Sequence, residues 1–218
     1  MKKVVAFVPI KMNSQRLKNK NILDINGKVL CRYIFDTLLE VSNIDEVYVF
    51  CSDPIIKEYI PNDVCFLQRN KALDGDLVKG FDIYREFISK VDASIYVLAH
   101  ATSPFLESES IEDAVSKVKE HGYDSAFSAV KYKTFAWYKG MPINYDINDV
   151  PRTQDIEPIY IETSGFFIFK KEVFSVHNRR IGFNPYIKEV SNTEAIDIDE
   201  KKDYDFACLI ADRIKEEN

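Results

Sequence analysis

The stretch AFVPIKMNSQRLKNKNI, residues 6–22, decides the fold of this chain. The apolar run from Val4 to Ile10 predicts a buried β-strand, which leads directly into a polar loop. Open α/β sheets bind their ligands at the carboxyl ends of their strands, and Arg and Lys pair with phosphate oxygens. The segment therefore predicts an anion site suited to a triphosphate, although a solvated basic loop has the same composition. The cations and amides of this loop are Lys11, Arg16, Lys18 and Lys20, with Asn13, Ser14, Gln15, Asn19 and Asn21 between them.

The composition favours a globular chain that handles a small anion. Of 218 residues, 46% are hydrophobic, which is enough for one large α/β domain spanning 1–218. The formal net charge is −6, from 29 basic and 35 acidic residues, so the chain as a whole offers no basic face. Because proteins that read nucleic acids carry such a face, no nucleic-acid partner is expected.

The sequence predicts neither export nor membrane insertion. Lys2 and Lys3 precede an apolar run that is too short for a signal peptide and lacks a small-residue cleavage site. No apolar segment approaches the length of a transmembrane helix. The four cysteines are scattered without paired spacing, which argues against a metal knuckle and against disulfides. A cytoplasmic protein with no membrane partner is therefore expected.

Strand-like and helix-like patterns alternate along most of the chain. This order predicts an α/β fold with a mainly parallel sheet and helices on both faces. The predicted strands are 3–10, 46–51, 64–67, 95–98, 125–130 and 165–169. The predicted helices are 30–41, 76–90, 111–118 and a last one from 200 onward. Helical spacing places Leu77 on the inward face of the second helix, and it places Phe206, Ile210 and Ile214 inward in the last.

Residues 131–163 interrupt this alternation. An irregular aromatic insertion in an α/β domain predicts either an active-site lid or an arm that docks on a partner subunit. Because aromatic side chains dominate buried contact surfaces, we interpret the insertion as a subunit interface. Its aromatic and proline residues are Tyr132, Phe135, Trp137, Tyr138, Pro142, Tyr145, Pro151, Pro158 and Tyr160.

Six short motifs follow one another in an order that is itself informative. They are Ser14, Leu17, Lys20 and Asn21 in the first loop, then Ser52-Asp53, Arg69, Leu98 to Pro104, Pro151-Arg152-Thr153-Gln154, and Ile196 to Asp199. Together these motifs resemble the acylneuraminate cytidylyltransferases, and Arg16 matches the related ketodeoxyoctonate branch. The resemblance extends over nearly the whole chain.

The resemblance implies both a fold and a reaction. The implied fold is a Rossmann-like three-layer nucleotidyltransferase of the glycosyltransferase-A type, with residues 131–163 as an inserted dimerisation arm. The implied reaction transfers CMP from CTP to a 2-keto acidic sugar of the acylneuraminate or nonulosonate type and releases pyrophosphate. CTP, an acidic sugar and a second copy of the chain in a homodimer are the implied partners, with Mg²⁺ as cofactor.

The resemblance places the nucleotide at the first loop and at the two strand ends beside it. In phosphoryl-type transfer, such cations act mainly by neutralising phosphate oxygens. Lys11 stands where the resembled family has arginine, so a point charge replaces a bidentate fork, and Gln15 stands where it has lysine. The expected catalytic residues are Lys11, Arg16, Lys20 and Asn21. The expected nucleotide-binding residues are Ser14, Gln15, Ser52, Asp53 and Arg69.

The acceptor sugar is expected at the turn after the strand 95–98 and on the arm. His100 stands where the family has a glutamine that contacts the acid sugar, although a lone histidine also fits a structural role in the turn. Arg152 is expected to bind the acceptor carboxylate because its guanidinium matches carboxylate geometry, and an exposed arm residue is the alternative. The expected substrate-binding residues are His100, Thr102, Ser103, Arg152 and Gln154.

Asp197 and Asp199 are the expected ligands of Mg²⁺. In an extended segment residues i and i+2 lie on one side, so both carboxylates can face one cation. Mg²⁺ favours one or two carboxylates together with phosphate oxygens and water. The alternative is an acidic run that complements the dipole of the following helix. Asp74 and Asp76, on either side of Gly75, are interpreted as turn residues only.

Three other readings of the sequence stay open. The acceptor could be ketodeoxyoctonate or another acidic sugar, since Arg16, Lys11 and His100 all fit that reading. A glycosyltransferase that uses the same fold and the acidic pair to hold a sugar nucleotide is the second. The third is a non-catalytic chain that binds a nucleotide or serves as a subunit.

Overall fold

The structure, a computed structural model, describes residues 2–217. Its strands in chain order are β1 (Val4–Ile10), β2 (Asp24–Ile25), β3 (Lys28–Val29), β4 (Glu46–Cys51), β5 (Cys65–Gln68), β6 (Ile95–Ala99), β7 (Ser125–Tyr132), β8 (Trp137–Tyr138), β9 (Met141–Pro142), β10 (Ile159–Lys170) and β11 (Pro185–Glu189). The α-helices are α1 (Leu30–Glu40), α2 (Gly80–Lys90), α3 (Ser108–Glu120), α4 (Lys171–Ser175) and α5 (Lys201–Glu217).

Seven strands form the central sheet in the order β11-β7-β10-β6-β1-β4-β5. β10 runs antiparallel to both of its neighbours, and the other strands all run in the opposite direction to it. The predicted α/β fold with a mainly parallel sheet is therefore confirmed. Because β1, β4, β5 and β6 share one direction, their carboxyl ends meet at a single edge, which carries the polar residues described below.

Side chains of β1 alternate between two hydrophobic layers. Val4, Ala6 and Val8 pack toward α1 and α3, whereas Val5 and Phe7 pack toward α2. The Phe7 ring stacks on the Phe87 ring of α2 with 4.2 Å between centroids. A central strand buried on both faces must be apolar at every position, and this explains the unbroken run in the sequence.

The insertion at 131–163 rises from the same edge of the sheet as the carboxyl end of β1. β7 and β10 pair as an antiparallel ribbon from Ile159 opposite Tyr132 to Glu162 opposite Ala129, and β8 and β9 form a small hairpin beyond them. Large apolar side chains on this arm are exposed. They are Tyr132, Phe135, Trp137, Tyr138, Met141, Ile143, Ile147, Val150, Tyr160 and Ile161.

Two helix predictions were wrong in detail. α2 begins at Gly80 rather than near Asp76, and Leu77 is 97% exposed in the loop before it. α5 buries Ala207 and Ala211, whereas Phe206 is 52% exposed. The inward face of α5 is thus one residue out of phase with the prediction. Small alanines allow the helix to approach β2, α1 and Ile198 closely.

Within residues 2–217, no helix combines the length and the apolar character that crossing a membrane requires.

Candidate active site

The loop after β1 is closed by its own polar residues. The Asn21 amide donates to the Lys11 carbonyl oxygen over 2.9 Å and ties the end of the loop to its beginning. Asn19 adopts a left-handed conformation with φ of 55°, which asparagine tolerates better than most residues. Lys20 and Asn21 are buried, whereas Arg16 is exposed. The loop therefore holds Lys20 and Asn21 rigidly and leaves Arg16 facing solvent.

The segment Asp197-Ile198-Asp199 comes against this loop from the far end of the chain. Ile198 is fully buried, and its backbone N–H donates to the Thr102 carbonyl oxygen over 2.9 Å. The Lys20 ammonium donates to the Ile198 carbonyl oxygen over 2.7 Å. One apolar anchor and two backbone bonds thus fix a segment whose two carboxylates flank a buried residue.

Asp199 lies between two cations of the first loop. Arg16 contacts one carboxylate oxygen at 2.7 Å, and Lys20 contacts the other at 3.0 Å. Burial raises the pKa of Asp199, but the bonds and charges of Lys20 and Arg16 outweigh burial and hold that pKa below its ordinary value. The carboxylate is therefore ionised at neutral pH, and it counterbalances the charge of both cations.

Asp197 carries a buried oxygen that no other described residue satisfies. Its Oδ1 is one of two buried side-chain polar atoms without a hydrogen-bond partner in residues 2–217, and the other is Nε of Arg69. A buried carboxylate oxygen without a partner is costly, so it indicates a position that a bound group completes. No three His, Cys, Asp or Glu side chains of the described chain group tightly enough to hold a metal ion by themselves.

Arg69 and Asp74 form a second ion pair at the neighbouring strand ends. Arg69 is buried, with 2% of its surface exposed. Its guanidinium contacts Asp74 at 2.6 Å and also donates to the Phe50 carbonyl oxygen over 3.3 Å. The Ser52 hydroxyl donates to the other oxygen of Asp74. Asp53 caps the short 3-10 turn at 54–58 by accepting the Ile55 backbone N–H over 3.1 Å. These bonds join the ends of β4 and β5 to the turn that follows β5.

Lys11 is paired with Asp76 at 3.0 Å, across the mouth of the cleft. Hydrogen bonds from Lys11 and Gln15 lower the pKa of Asp76. Asp74 and Asp76 were predicted to be turn residues only, yet each is bonded to a cation of the site. The sequence signal that identifies them is the pair of acids five and seven residues after Arg69, in a chain whose first loop is basic.

The paired cations line one open cleft. Its volume is about 340 Å³, and its lining includes Lys11, Ser14, Gln15, Arg16, Lys20, Arg69, Asp76 and Asp199. A second hollow of about 380 Å³ adjoins it at Asn13 and is lined by Ser52, Asp53, Lys71 and Asp74. The structure thus brings together all the residues that the sequence assigned to the nucleotide, with Asn21 behind the loop.

His100 begins the turn after β6. Its Nδ1 lies 2.5 Å from the Ser164 carbonyl oxygen, and because a carbonyl only accepts, Nδ1 carries the proton. Burial lowers the pKa of His100, so the ring is neutral and Nε2 is free to accept a hydrogen bond. Ser103 is buried, and Thr102 holds the acidic segment through its carbonyl oxygen. His100 lies within electrostatic reach of Asp197, Arg180 and Lys20, and Thr102 and Ser103 belong to the turn that follows it.

Arg152 and Gln154 lie on the arm and find partners there. The Arg152 side chain is 74% exposed and contacts Asp155 at 2.6 Å. The Gln154 carbonyl oxygen accepts a bond from Lys133 over 3.0 Å. Their predicted contact with a substrate stays a prediction, since these bonds join arm residues to one another.

The comparison with known proteins identifies the family. The cytidylyltransferase family model matches residues 5–216. The chain therefore belongs to the cytidylyltransferase family, which is a class of nucleotidyltransferases, as the first loop and the late acidic segment predicted.

The curated relatives are distant and longer. An N-acylneuraminate cytidylyltransferase of Streptococcus agalactiae serotype V is 24% identical over 213 residues, which cover 93% of this chain and 52% of the relative. A 3-deoxy-manno-octulosonate cytidylyltransferase of Escherichia coli is 27% identical over 120 residues, or 55% of this chain and 48% of the relative. The chain spans about half the length of the curated relatives it matches.

Solved structures share the fold. A CMP:2-keto-3-deoxy-manno-octonic acid synthetase complexed with CTP superposes with a TM-score of 0.71 at 16% identity, covering 97% of this chain and 99% of that one. The 2-C-methyl-D-erythritol 4-phosphate cytidylyltransferase of Thermus thermophilus gives 0.64 at 13% identity, covering 97% and 100%. The predicted Rossmann-like nucleotidyltransferase fold is thereby confirmed.

Proposed function

We propose that this chain transfers CMP from CTP to a 2-keto acidic sugar and releases pyrophosphate. The observation that carries the proposal is the meeting of Arg16 and Lys20 with Asp199 in one cleft of a cytidylyltransferase-family chain. Cations aimed at phosphate oxygens and a carboxylate beside them are the groups that nucleotidyl transfer requires. The chain acts in this proposal as a single domain, 1–218, with an arm at 131–163.

In the reaction, a hydroxyl oxygen of the sugar attacks the α-phosphorus of CTP. The bond between the α-phosphorus and the bridging oxygen breaks, pyrophosphate leaves with the electron pair, and the hydroxyl proton is lost. Lys11, Arg16 and Lys20 neutralise charge on the phosphate oxygens, and they exchange their present carboxylate partners for phosphate. Asn21 keeps the loop closed, and Ser14 and Gln15, on the outer side of the loop, donate hydrogen bonds to the nucleotide.

Asp197 and Asp199 are the residues that would hold Mg²⁺. The Oδ1 atom of Asp197 has no partner and is available to such a cation, and Asp199 lies two residues further along the chain, at the cleft. Two carboxylates leave the remaining positions to phosphate oxygens and water, as Mg²⁺ prefers. When bound, the ion neutralises charge on the phosphate groups.

The base and ribose of CTP are assigned to the hollow beside the cleft. Ser52, Asp53 and Asp74 line it, and Asp74 is paired with the buried Arg69, which lines the adjoining cleft. We call the first loop together with 52–53 and 69–76 the donor half. We call the turn 100–104, the β10 residues 162–167 and the loop residues 180–184 the acceptor half.

The acceptor is proposed to be a nonulosonate of the acylneuraminate type. A relative named for N-acylneuraminate aligns over 93% of this chain, whereas the relative named for 3-deoxy-manno-octulosonate aligns over 55%. His100 would accept a bond from a sugar hydroxyl through Nε2, next to the turn shaped by Thr102 and Ser103. Arg152 and Gln154 would contact the acceptor from the arm, over its own site or over that of a partner.

The arm is proposed to form a homodimer interface. Its exposed large apolar side chains form an apolar surface of the kind that usually packs against another protein. Light scattering on the purified chain should give the mass of a dimer. Trp137→Ser with Met141→Ser should shift it to the mass of one chain, whereas an unchanged mass would reject the arm as the interface.

Pyrophosphate release tests the reaction. The protein is incubated with CTP, Mg²⁺ and, in separate samples, N-acetylneuraminate, pseudaminic acid or 3-deoxy-manno-octulosonate. Release with one acid identifies both the reaction and the acceptor. Absence of release together with absence of CTP binding in calorimetry would reject the proposal, and ATP, GTP and UTP serve as matched controls for the base.

A further inference from the structure

The acceptor half contains a guanidinium that no sequence motif marks. Arg180 lies in the loop between α4 and β11, and its guanidinium carbon is 3.6 Å from the centroid of the Phe167 ring. The His100 ring meets the same Phe167 ring edge-on, with 6.2 Å between centroids. Arg180 and His100 therefore share one aromatic ring of β10 as a common support.

The position of Arg180 is fixed on several sides. Glu162 accepts a bond from its Nη2 over 2.8 Å, and the guanidinium lies close enough to the Tyr84 hydroxyl of α2 to act on its pKa, lowering it against the effect of burial. The Arg180 side chain is 28% exposed, so it is held without being sealed from solvent. A guanidinium has five N–H donors in a fixed plane, which is more than these two partners require.

The loop that carries Arg180 is itself pinned to β7. Asp124 accepts the backbone N–H groups of Phe183 and Asn184 over 2.6 and 3.0 Å, and the Ser125 hydroxyl accepts that of Gly182 over 2.8 Å. A Cβ atom at Gly182 would collide with the Asp124 carboxylate, so only glycine permits this approach. The approach of the loop is thus built into the backbone and does not depend on the Arg180 side chain.

The two β10 residues that contact Arg180 lie on either side of an irregularity in that strand. The register of β10 against β7 shifts between Glu162 and Phe167. In the shifted stretch, the Ser164 and Gly165 carbonyl oxygens turn toward His100 and accept its Nδ1–H and its backbone N–H, the latter over 3.1 Å. Strand irregularities of this kind re-aim side chains and often lie beside active sites.

We propose that Arg180, next to His100, binds the carboxylate of the acceptor sugar and so determines that the acceptor is an acid. This inference rests on the proposed function. A planar guanidinium backed by an aromatic ring can donate two parallel N–H bonds to a carboxylate. Glu162 accepts one bond, from Nη2, so donors remain for the acceptor. His100 supplies an acceptor for a hydroxyl beside it, so one wall recognises both functional groups of a hydroxy acid.

Kinetics of three variants test the assignment. Arg180→Met removes the charge and the fork, Arg180→Lys keeps the charge only, and Arg179→Met is the matched control on the same loop, where Arg179 lies over the Phe183 ring. For the acid that the wild-type protein uses, Arg180→Met should raise KM about 30- to 100-fold and Arg180→Lys about 10-fold. KM for CTP should stay within about twofold in all three, because the loop lies outside the donor half.

The outcomes separate this inference from the function on which it rests. If wild-type protein releases pyrophosphate and Arg180→Met changes KM for the acid no more than Arg179→Met does, Arg180 is not the carboxylate ligand. An equal rise in KM for CTP would also overturn the assignment, since it would indicate a general loss of structure. If the wild-type protein shows neither turnover nor calorimetric binding of any acid, the proposed function fails and this inference fails with it. Thermal melts of each variant check that the chain is folded.

Discussion

The donor half and the acceptor half of the site are built in different ways. In the donor half, four cations are already paired with carboxylates of the chain: Lys11 with Asp76, Arg69 with Asp74, and both Arg16 and Lys20 with Asp199. In the acceptor half, Arg180 is also paired with a carboxylate, Glu162, but it and His100 rest in addition on an aromatic ring and on backbone carbonyl groups. In the proposed function, the donor half would bind by exchanging one anion for another, whereas the acceptor half would bind with groups whose hydrogen-bonding capacity is still partly free.

Asp199→Asn should give the largest effect on activity. Removing its charge leaves the charges of Arg16 and Lys20 without a counterion and removes one proposed Mg²⁺ ligand. The rate of pyrophosphate release should therefore fall by about 1,000-fold, which corresponds to an activation barrier higher by about 4 kcal/mol. Asp205→Asn is the control, because Asp205 is an exposed residue of α5 that forms an ion pair with Lys201, away from the cleft. Turnover that survives in Asp199→Asn would remove the carboxylate from the mechanism, provided that circular dichroism shows both variants folded.

Arg69→Met tests whether pairing in the donor half also supports the fold. The Arg69 side chain is 1% exposed and Asp74 is 15% exposed, so the variant leaves a carboxylate buried without its partner. The free energy of unfolding should fall by about 3–5 kcal/mol. The matched variant Arg152→Met breaks an exposed pair on the arm and should cost at most about 1 kcal/mol. Urea denaturation measures both, and equal losses would contradict the contrast between a buried and a solvated pair.

Asp124→Asn tests the backbone support of the acceptor half. Burial raises the pKa of Asp124, but the backbone N–H groups of Phe183 and Asn184 and the Ser125 hydroxyl outweigh it and hold the pKa below its ordinary 3.8. Asn at this position should lower the free energy of unfolding by about 1–2 kcal/mol at pH 7.

The pH dependence of that loss follows from the direction of the shift. A carboxylate with a lowered pKa stabilises the fold above its unfolded pKa, and this contribution is lost as the pH falls through the folded pKa. The difference between wild type and Asp124→Asn should thus be full above about pH 5 and should shrink below about pH 4. Urea denaturation across this pH range measures the difference in the free energy of unfolding. A difference that stays constant down to about pH 3 would show that the charge of Asp124 does not cause the stabilisation.

Asp76→Asn should give the smallest effect. If Lys11 binds phosphate as proposed, Asp76 competes for it, and the neutral amide should lower KM for CTP by about two- to fivefold, as expected for an exposed pair. Asp82→Asn, which breaks an exposed pair with Arg85 on α2, is the control. A raised KM for CTP in Asp76→Asn would mean that Asp76 assists the nucleotide instead of competing with it.

The same contrast explains how much the sequence could predict. The donor half consists of short segments directly after strands, so identifying β1, β4 and β5 also located Lys11, Ser52 and Arg69. Local periodicity placed the start of α2 too early. After β5 the chain forms a 3-10 turn at Lys71–Asp74 and then a loop in which Asp76 pairs with Lys11, a long-range contact that local periodicity cannot register, and α2 begins at Gly80.

The acceptor half depends on features with no local signal. Arg180 acquires its place through the register shift in β10, the contact of Gly182 with Asp124, and the ring of Phe167. Each of these joins segments far apart in the chain, so neither composition nor spacing identifies the residue. The phase of α5 failed for a related reason: it is set by the close approach of Ala207 and Ala211 to Ile198 and not by the largest apolar residues of the helix.

One peptide segment joins the two halves. The N–H of Ile198 is bonded to the Thr102 turn, and the carbonyl of the same residue is bonded to Lys20. If the proposed triphosphate displaced Lys20, these two bonds would carry the displacement to the turn that holds His100. Occupancy of the two halves is then expected to be thermodynamically linked, each ligand changing the affinity for the other by the same factor. Cooperativity between CTP and acid would thus originate within a single chain.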